Sequence, residues 1–232
     1  MVNEVDLIIS DLHAPVYHKD TVKFLALLKK TYTPQRIFCT GDEINWESIS
    51  YHEKNPDLPG ALDELVLSRK ALKPIMELFP KMEIMESNHG SLPFRKAQTV
   101  GLPSQILKTY REILQAPKGW NWHLSYVFNT KLGPVYMAHG KTSVVGKLSK
   151  NMAMNSIQGH YHSKCYINYW ASPIGLYWDM NVGSMADDKH LAMKYGWNSV
   201  EKSIMNCGIL INGIPRLQPM VLDRRGNWIG RL

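Results

Sequence analysis

The sequence predicts a layered α/β fold, and three observations predict it. Short apolar runs alternate with helix-like stretches through residues 5–86. Most runs end on a small polar cluster. Beyond residue 122 short strands follow one another with few helices between them. A first strand is expected over 5–9, stopping at Ser10-Asp11. A helix follows over 21–30, with Phe24, Leu25, Leu27 and Leu28 on its apolar side and Asp20 placed to cap it. A second strand over 35–39 ends on Thr40-Gly41-Asp42. Strand, helix and strand at this spacing open an α/β layer.

Residues 43–58 read as a loop containing Trp46 and Tyr51, closed by Pro59-Gly60. The stretch 61–78 predicts a long helix whose one breaker is Pro74, and 82–86 predicts a strand running into Ser87-Asn88-His89-Gly90. Pro93 and Pro103 give 91–103 a loop texture, and a helix is expected over 104–114. The segment 91–118 is a candidate small cap over a site within one domain spanning 1–232. Strands are then expected at 124–128 and 133–137, joined by a turn at 129–131, with His139-Gly140 just after. A helix at 149–154 and a strand at 156–158 lead to Gly159-His160-Tyr161-His162. Further strands are expected at 165–170, 175–179, 208–211 and 220–222.

Composition narrows the class. The chain has 232 residues, 27 Lys plus Arg and 20 Asp plus Glu, for a net charge of +7. Charged residues at 20% and apolar residues at 44% are globular values, which exclude a disordered or fibrous chain. The length suffices for one substantial core. The start carries only Leu7-Ile8-Ile9 as an apolar run, behind Glu4 and Asp6, so no signal peptide is expected. No stretch approaches the ~18 apolar residues of a membrane span. Cys39, Cys165 and Cys207 form no CxxC pair, which points to reduced thiols, a cytoplasmic location and no thiolate metal site. The positive charge suits an anionic substrate or nucleic acid, but it is dispersed: 141–150 holds only three lysines.

Five polar clusters carry the chemistry: Asp11-Leu12-His13, Gly41-Asp42, Asn88-His89, His139-Gly140 and His160-Tyr161-His162. They hold five of the nine histidines. Carboxyl ends of strands converge on one crevice in α/β folds. Asp11 and His13, two apart in an extended segment, would point the same way, and His160 and His162 repeat that spacing. Such pairs can bind one ion together or grip two neighbouring ions. Carboxylates and imidazoles without cysteine suit Mn, Fe or Zn.

In these motifs and their order, from Asp11 to His162, the chain resembles the calcineurin-like metallophosphoesterases. The resemblance covers about two thirds of the sequence. It implies a four-layer αββα sandwich of two mixed β-sheets flanked by helices. It also implies two divalent cations, Mn2+ first, with Fe, Zn, Ni or Mg as alternatives. Asp11, His13 and His162 would hold one ion, Asn88, His139 and His160 the other, and Asp42 both. Two ions ~3.5–4 Å apart activate a bridging hydroxide and stabilise charge on phosphoryl oxygens. His89 would contact the phosphoryl group and protonate the leaving oxygen.

Two positions depart from the pattern. Ser87 and Gly90 flank the Asn-His pair where the family more often has glycine and an acid, and Asn45 stands where an Asp often follows the GD. Asn181-Val182-Gly183-Ser184 resembles a turn that closes the core in relatives.

Substrate walls are expected from Trp46, Tyr51 and His52, from 93–95 and from the Lys141 region; Trp46 and Tyr51 could stack a base, and Arg95 and Lys141 could bind phosphate. The expected substrate is a small phosphomonoester, a nucleoside or deoxynucleoside monophosphate. A DNA or RNA nuclease or other phosphodiesterase is the first alternative, so nucleic acid is a candidate partner and a membrane is not. A non-catalytic binding module on the same fold is the second alternative.

Overall fold

The computed structural model describes residues 3–53 and 55–232. Met1 and Val2 at the start of the chain and Lys54 in the 43–58 loop lie outside them. At the centre is β1 (Val5–Ile9), buried along its whole length. It runs parallel to β2 (Arg36–Cys39) and antiparallel to β10 (Asn206–Ile211). Together with β3 (Lys81–Met85), β4 (Gly119–His123) and β11 (Ile214–Pro219) they form a six-stranded sheet in the order β11-β10-β1-β2-β3-β4.

A near-continuous apolar run is what a strand covered on both faces requires. Leu7 and Ile9 point to one face, where Phe24, Leu25 and Leu28 of α1 (Thr21–Tyr32) and Leu72 and Ile75 of α2 (Ala61–Leu78) pack on them. Ile8 points to the other, against the second sheet. The exception in β1 is Asp6, 1% exposed. Arg36 forks onto it, Nε at 2.6 Å and Nη2 at 2.8 Å.

The second sheet has the order β5-β6-β7-β9-β8. It is built from β5 (Tyr126–Thr130), β6 (Gly133–Ala138), β7 (Asn155–Gln158), β8 (Cys165–Ser172) and β9 (Gly175–Val182). Val135, Met137, Ile157 and Met180 meet Ile8, Phe38, Met85 and Leu210 of the first sheet in one apolar layer. α5 (Lys147–Met152) packs on β7 and β9. The result is helix, sheet, sheet, helix: two mixed sheets each flanked by helices, as expected. Among the described residues no helix is long and apolar enough to cross a membrane.

Several expected elements differ. Asp20 precedes α1 but makes no capping bond; its carboxylate instead accepts from Lys23 Nζ and from the Trp228 N–H. Pro74 lies inside α2 without ending it. Residues 92–99, expected as loop, form α3 (Leu92–Thr99), because Pro93 falls in its first turn, where a missing N–H is harmless. The helix expected over 104–114 is broken. Ser104–Ile106 is a 3-10 turn, and α4 (Tyr110–Leu114) starts afresh from a Thr109–Glu112 capping box. The hairpin strand begins at Tyr126, so the turn follows Thr130. No strand forms over 220–222; β11 precedes it as the edge strand, where Pro215 and Pro219 are tolerated.

Candidate metal centre and the cavity above it

The expected site residues sit on loops that leave the carboxyl ends of β1, β2, β3, β6 and β7. The local backbone is not the extended one expected. Asp11 and His13 have φ of 40° and 50°, and Asp42 and His160 have 48° and 72°. Four of the nine described non-glycine residues with positive φ are thus expected ligands. Such conformations cost about 1–3 kcal/mol each and persist where the surroundings over-determine them. Side chains two apart meet here through left-handed turns rather than through strand alternation. Gly41, at φ 109°, lets Asp42 reach the centre: an added Cβ would fall 2.6 Å from Ser87 Cβ and 2.7 Å from the Met85 carbonyl.

Two donor sets result. Ligand atoms of His13, Asp42 and His162 lie within 4.8 Å of one another, and so do those of Asp42, His139 and His160. Asp42 belongs to both. On one side His13 Nε2 is 3.1 Å from His162 Nε2 and 3.5 Å from Asp42 Oδ2, and His162 Nε2 is 3.4 Å from Asp11 Oδ2. On the other, His139 Nε2 is 3.2 Å from Asp42 Oδ2, 2.6 Å from Asn88 Oδ1 and 3.1 Å from His160 Nδ1. The geometry therefore brings together all seven expected ligand residues.

The donor set fits cations. His13 Nδ1 donates to Asn45 Oδ1 at 2.9 Å and His139 Nδ1 to the Thr40 carbonyl at 2.9 Å. Both rings then turn an Nε2 lone pair inward, as metal-bound histidines do. Imidazole nitrogens 3.1 Å apart across the centre repel unless a cation or proton lies between them. Asp11 Oδ1 is buried without a hydrogen-bond partner. The arrangement is consistent with a binuclear metal site.

Burial and mutual charge set the ionisation of these side chains. Burial pushes Asp11 up to about 7 and His162 down to about 4. Burial alone would lower His139, but the Asp42 carboxylate outweighs it and holds the ring at about 9. His139 and His89 in turn hold Asp42 well below the usual carboxylate range despite its burial. Burial also lifts Glu43 to about 7; its Oε1 accepts from Trp122 Nε1 at 3.0 Å.

His89 lies beside the centre, its ring centroid 4.6 Å from that of His13. Its Nδ1 donates to the Asn45 carbonyl and its N–H to Asp42 Oδ1. The acid missing at Gly90 is thus replaced as orienting partner by a main-chain oxygen. Asn45 serves both histidines, through its side chain for His13 and its carbonyl for His89.

The expected substrate walls are placed differently. Trp46 is 6% exposed and packs in the core, so it offers no platform for a base. Tyr51 is exposed but lies under two cations, Arg95 at 5.4 Å and Lys96 at 3.6 Å from its ring centre. Arg95 is spent on the Asn88 carbonyl and Ser91 Oγ. Lys141 is exposed, with its N–H bound to Gln158 Oε1.

Of the expected walls, His52 lines the cavity of about 500 Å3 that opens over Asp42, Asn88, His89, His160 and His162; Trp46, Tyr51, Arg95 and Lys141 do not. Its far wall is Asp188, Glu201, Lys202 and Ser203. Residues 91–118 contribute nothing to it either. Instead they pack Phe94 on Tyr110 and Tyr110 on Trp122. The wall at 188–203 escaped the sequence reading; its one signal is the polar run Asp187-Asp188-Lys189-His190 ahead of Trp197.

No family model matches the chain, and no curated protein matches it significantly. Solved structures do. Vps29 from Chaetomium thermophilum aligns over 98% of this chain and 93% of its own, with 12% identity and a TM-score of 0.52. Vacuolar Protein Sorting 29 from Cryptosporidium parvum covers 94% of this chain and 97% of its own, at 11% identity and a TM-score of 0.46. A Mycoplasma pneumoniae protein described as a novel phosphatase covers 95% and 94%, at 12% identity and a TM-score of 0.41. At such identities likeness bears on fold alone. With two flanked mixed sheets, two histidine–aspartate sets at their strand ends and the Chaetomium likeness, the chain has a calcineurin-like metallophosphoesterase fold.

Proposed function

We propose that this chain is a metal-dependent phosphoesterase that cleaves phosphodiesters. The observation that carries the reading is the pair of donor sets sharing Asp42. Asp11, His13 and His162 hold one ion, Asn88, His139 and His160 the other, and Asp42 both. Mn2+ is the first choice for this mixed donor set, with Fe, Zn, Ni and Mg as alternatives. The bound ions supply a nucleophile at neutral pH and stabilise charge on phosphoryl oxygens. His89, with Nδ1–H fixed by the Asn45 carbonyl, keeps Nε2 to carry the proton that the leaving oxygen takes up. The three cysteines are free, which supports a cytoplasmic location.

The monophosphate reading rested on Trp46 or Tyr51 as base platform and on Arg95 as clamp, and none of these lines the cavity. The far wall carries two carboxylates, Asp188 and Glu201, against one ammonium, Lys202. A dianionic monoester faces more repulsion there than a monoanionic diester. The Mn2+-loaded protein should hydrolyse bis-p-nitrophenyl phosphate and single-stranded DNA faster than p-nitrophenyl phosphate or nucleoside monophosphates. Faster monoester hydrolysis would overturn the diester assignment. A second reading, a binding module on this fold, draws on the likeness to a vacuolar protein sorting protein. Stoichiometric metal without hydrolysis of any substrate would favour it.

A further inference from the structure

Beside the metal centre lies a second cavity, of about 740 Å3, within the ~300–1,000 Å3 range of ligand pockets. It shares Asp188, Lys202 and Ser203 with the cavity over the metal ligands, so the two are neighbours across one wall. We propose that it is a subsite for the nucleotides flanking the scissile bond of a single-stranded nucleic acid. The proposal rests on the phosphodiesterase reading and names its substrate class.

The lining has three parts suited to that ligand. The first is positive charge from Lys19, Lys189, Lys202 and Arg225. The lining carboxylates are Asp187 and Asp188. Asp188 accepts from Ser203 at both oxygens and Asp187 Oδ1 accepts the Lys189 N–H at 3.0 Å; both keep their charge, so four cations face two carboxylates. Lys19 Nζ is steadied on Asn227 Oδ1 at 2.6 Å, and Lys189 Nζ lies over Gly226. Among the described residues the Arg225 guanidinium has no hydrogen bond or ion pair of its own; Asp223 binds only its backbone N–H.

The second part is an indole. Trp197 is 45% exposed, yet its Nε1 is fixed on the Asp188 carbonyl at 2.8 Å. Its polar edge is anchored beside the metal-site wall, and an exposed anchored ring is a stacking platform for any base. The third part is apolar, Met205 and Leu222. Cations alone would suit an inorganic anion. Cations, an exposed indole and apolar surface in one cavity suit a phosphate with its base, and the shared wall makes it the continuation of the strand being cut.

The test compares two diesters on the metal-loaded protein: bis-p-nitrophenyl phosphate, which reaches no further than the ions, and a single-stranded 12-mer. For Lys189→Ala/Arg225→Ala the kcat/KM ratio of oligonucleotide to small diester should fall at least tenfold. The salt slope of oligonucleotide KM should flatten by about 1.4, two contacts' worth on a single strand. Trp197→Ala should lower the same ratio about tenfold, the effect of one lost stack. An unchanged ratio in both variants would overturn the subsite. If wild type cleaves neither diester, the phosphodiesterase reading fails separately, and the cavity is judged by anisotropy of the labelled 12-mer. A Kd unmoved by the variants then overturns it, and a tenfold rise supports a nucleic-acid surface. Equal weakening for a heparin oligosaccharide, with Trp197→Ala silent, would overturn the nucleic-acid assignment.

Discussion

Asp42 belongs to both donor sets, so its charge would act on both proposed ions at once. Asp42→Asn should reduce bound metal from two ions towards none after dialysis, by elemental analysis, and remove nearly all hydrolysis. Retention of both ions would mean that the shared ligand is another residue. His89 touches substrate rather than metal in the proposed reaction. His89→Gln should lower turnover about 10²–10⁴-fold on a poor leaving group and less on p-nitrophenolate, with metal content unchanged. At this scale the residue types and their order were legible, because metal chemistry dictates which side chains can serve. What the sequence hid was their backbone. Positive φ at Asp11, His13, Asp42 and His160 comes from tertiary constraint, and no periodicity announces it. Trp46 misled for the same reason: an aromatic residue in a loop looks available until the core closes over it.

Asp6 and Arg36 tie β1 to β2 at the end away from the metals. Burial lifts the Asp6 carboxyl above its ordinary range even though Arg36 pulls it down. Arg36→Ala should therefore cost about 2–3 kcal/mol in urea unfolding at pH 7. That is below the ~3–5 kcal/mol of a fully enclosed pair, because water reaches the guanidinium. An unpaired Asp6 has a folded pKa further above its unfolded one, so the folded state takes up the extra proton on acidification. The deficit should shrink from pH 7 to pH 5. A constant deficit would point to lost packing of the Arg36 stem over Phe128, 5.1 Å from its guanidinium carbon. Elements were legible where an apolar run was long, as in β1 and α2. They failed where proline was read without its position, since Pro93 lies in the first turn of α3, and over 214–219, where edge strand β11 was not expected. The Thr109-x-x-Glu112 signature was present in the sequence and marks the true start of α4.

Assigning strands to sheets was beyond periodicity, since β1 pairs with β10, Val5 opposite Ile211, across most of the chain. The two-sheet arrangement followed only from the family resemblance. Its assembled site would make metal loading a proton-linked event. Burial pushes Asp11 up to about 7 and the Asp42 carboxylate holds His139 at about 9, so each would have to shed its proton to ligate. Apparent metal affinity should rise between pH 6.5 and 9, with protons released in calorimetry across buffers of different ionisation enthalpy. A pH-independent affinity would remove these two residues from the ligand set. The origin of the ligands has a kinetic corollary. Asp11, His13, Asp42 and Asn88 follow strands of one sheet, and His139, His160 and His162 follow strands of the other. Ions bound there would therefore stitch the seam between sheets at one end only, and sliding or parting would first have to break coordinate bonds. Ions at a hundred times their Kd add about 2.7 kcal/mol against any opening that releases them. Amide exchange near Ile9, Cys39 and Gln158 should slow on metal addition far more than exchange near Thr130, with chelator restoring the original rates. Slowing spread evenly over both ends would mean that the ions resist only global unfolding.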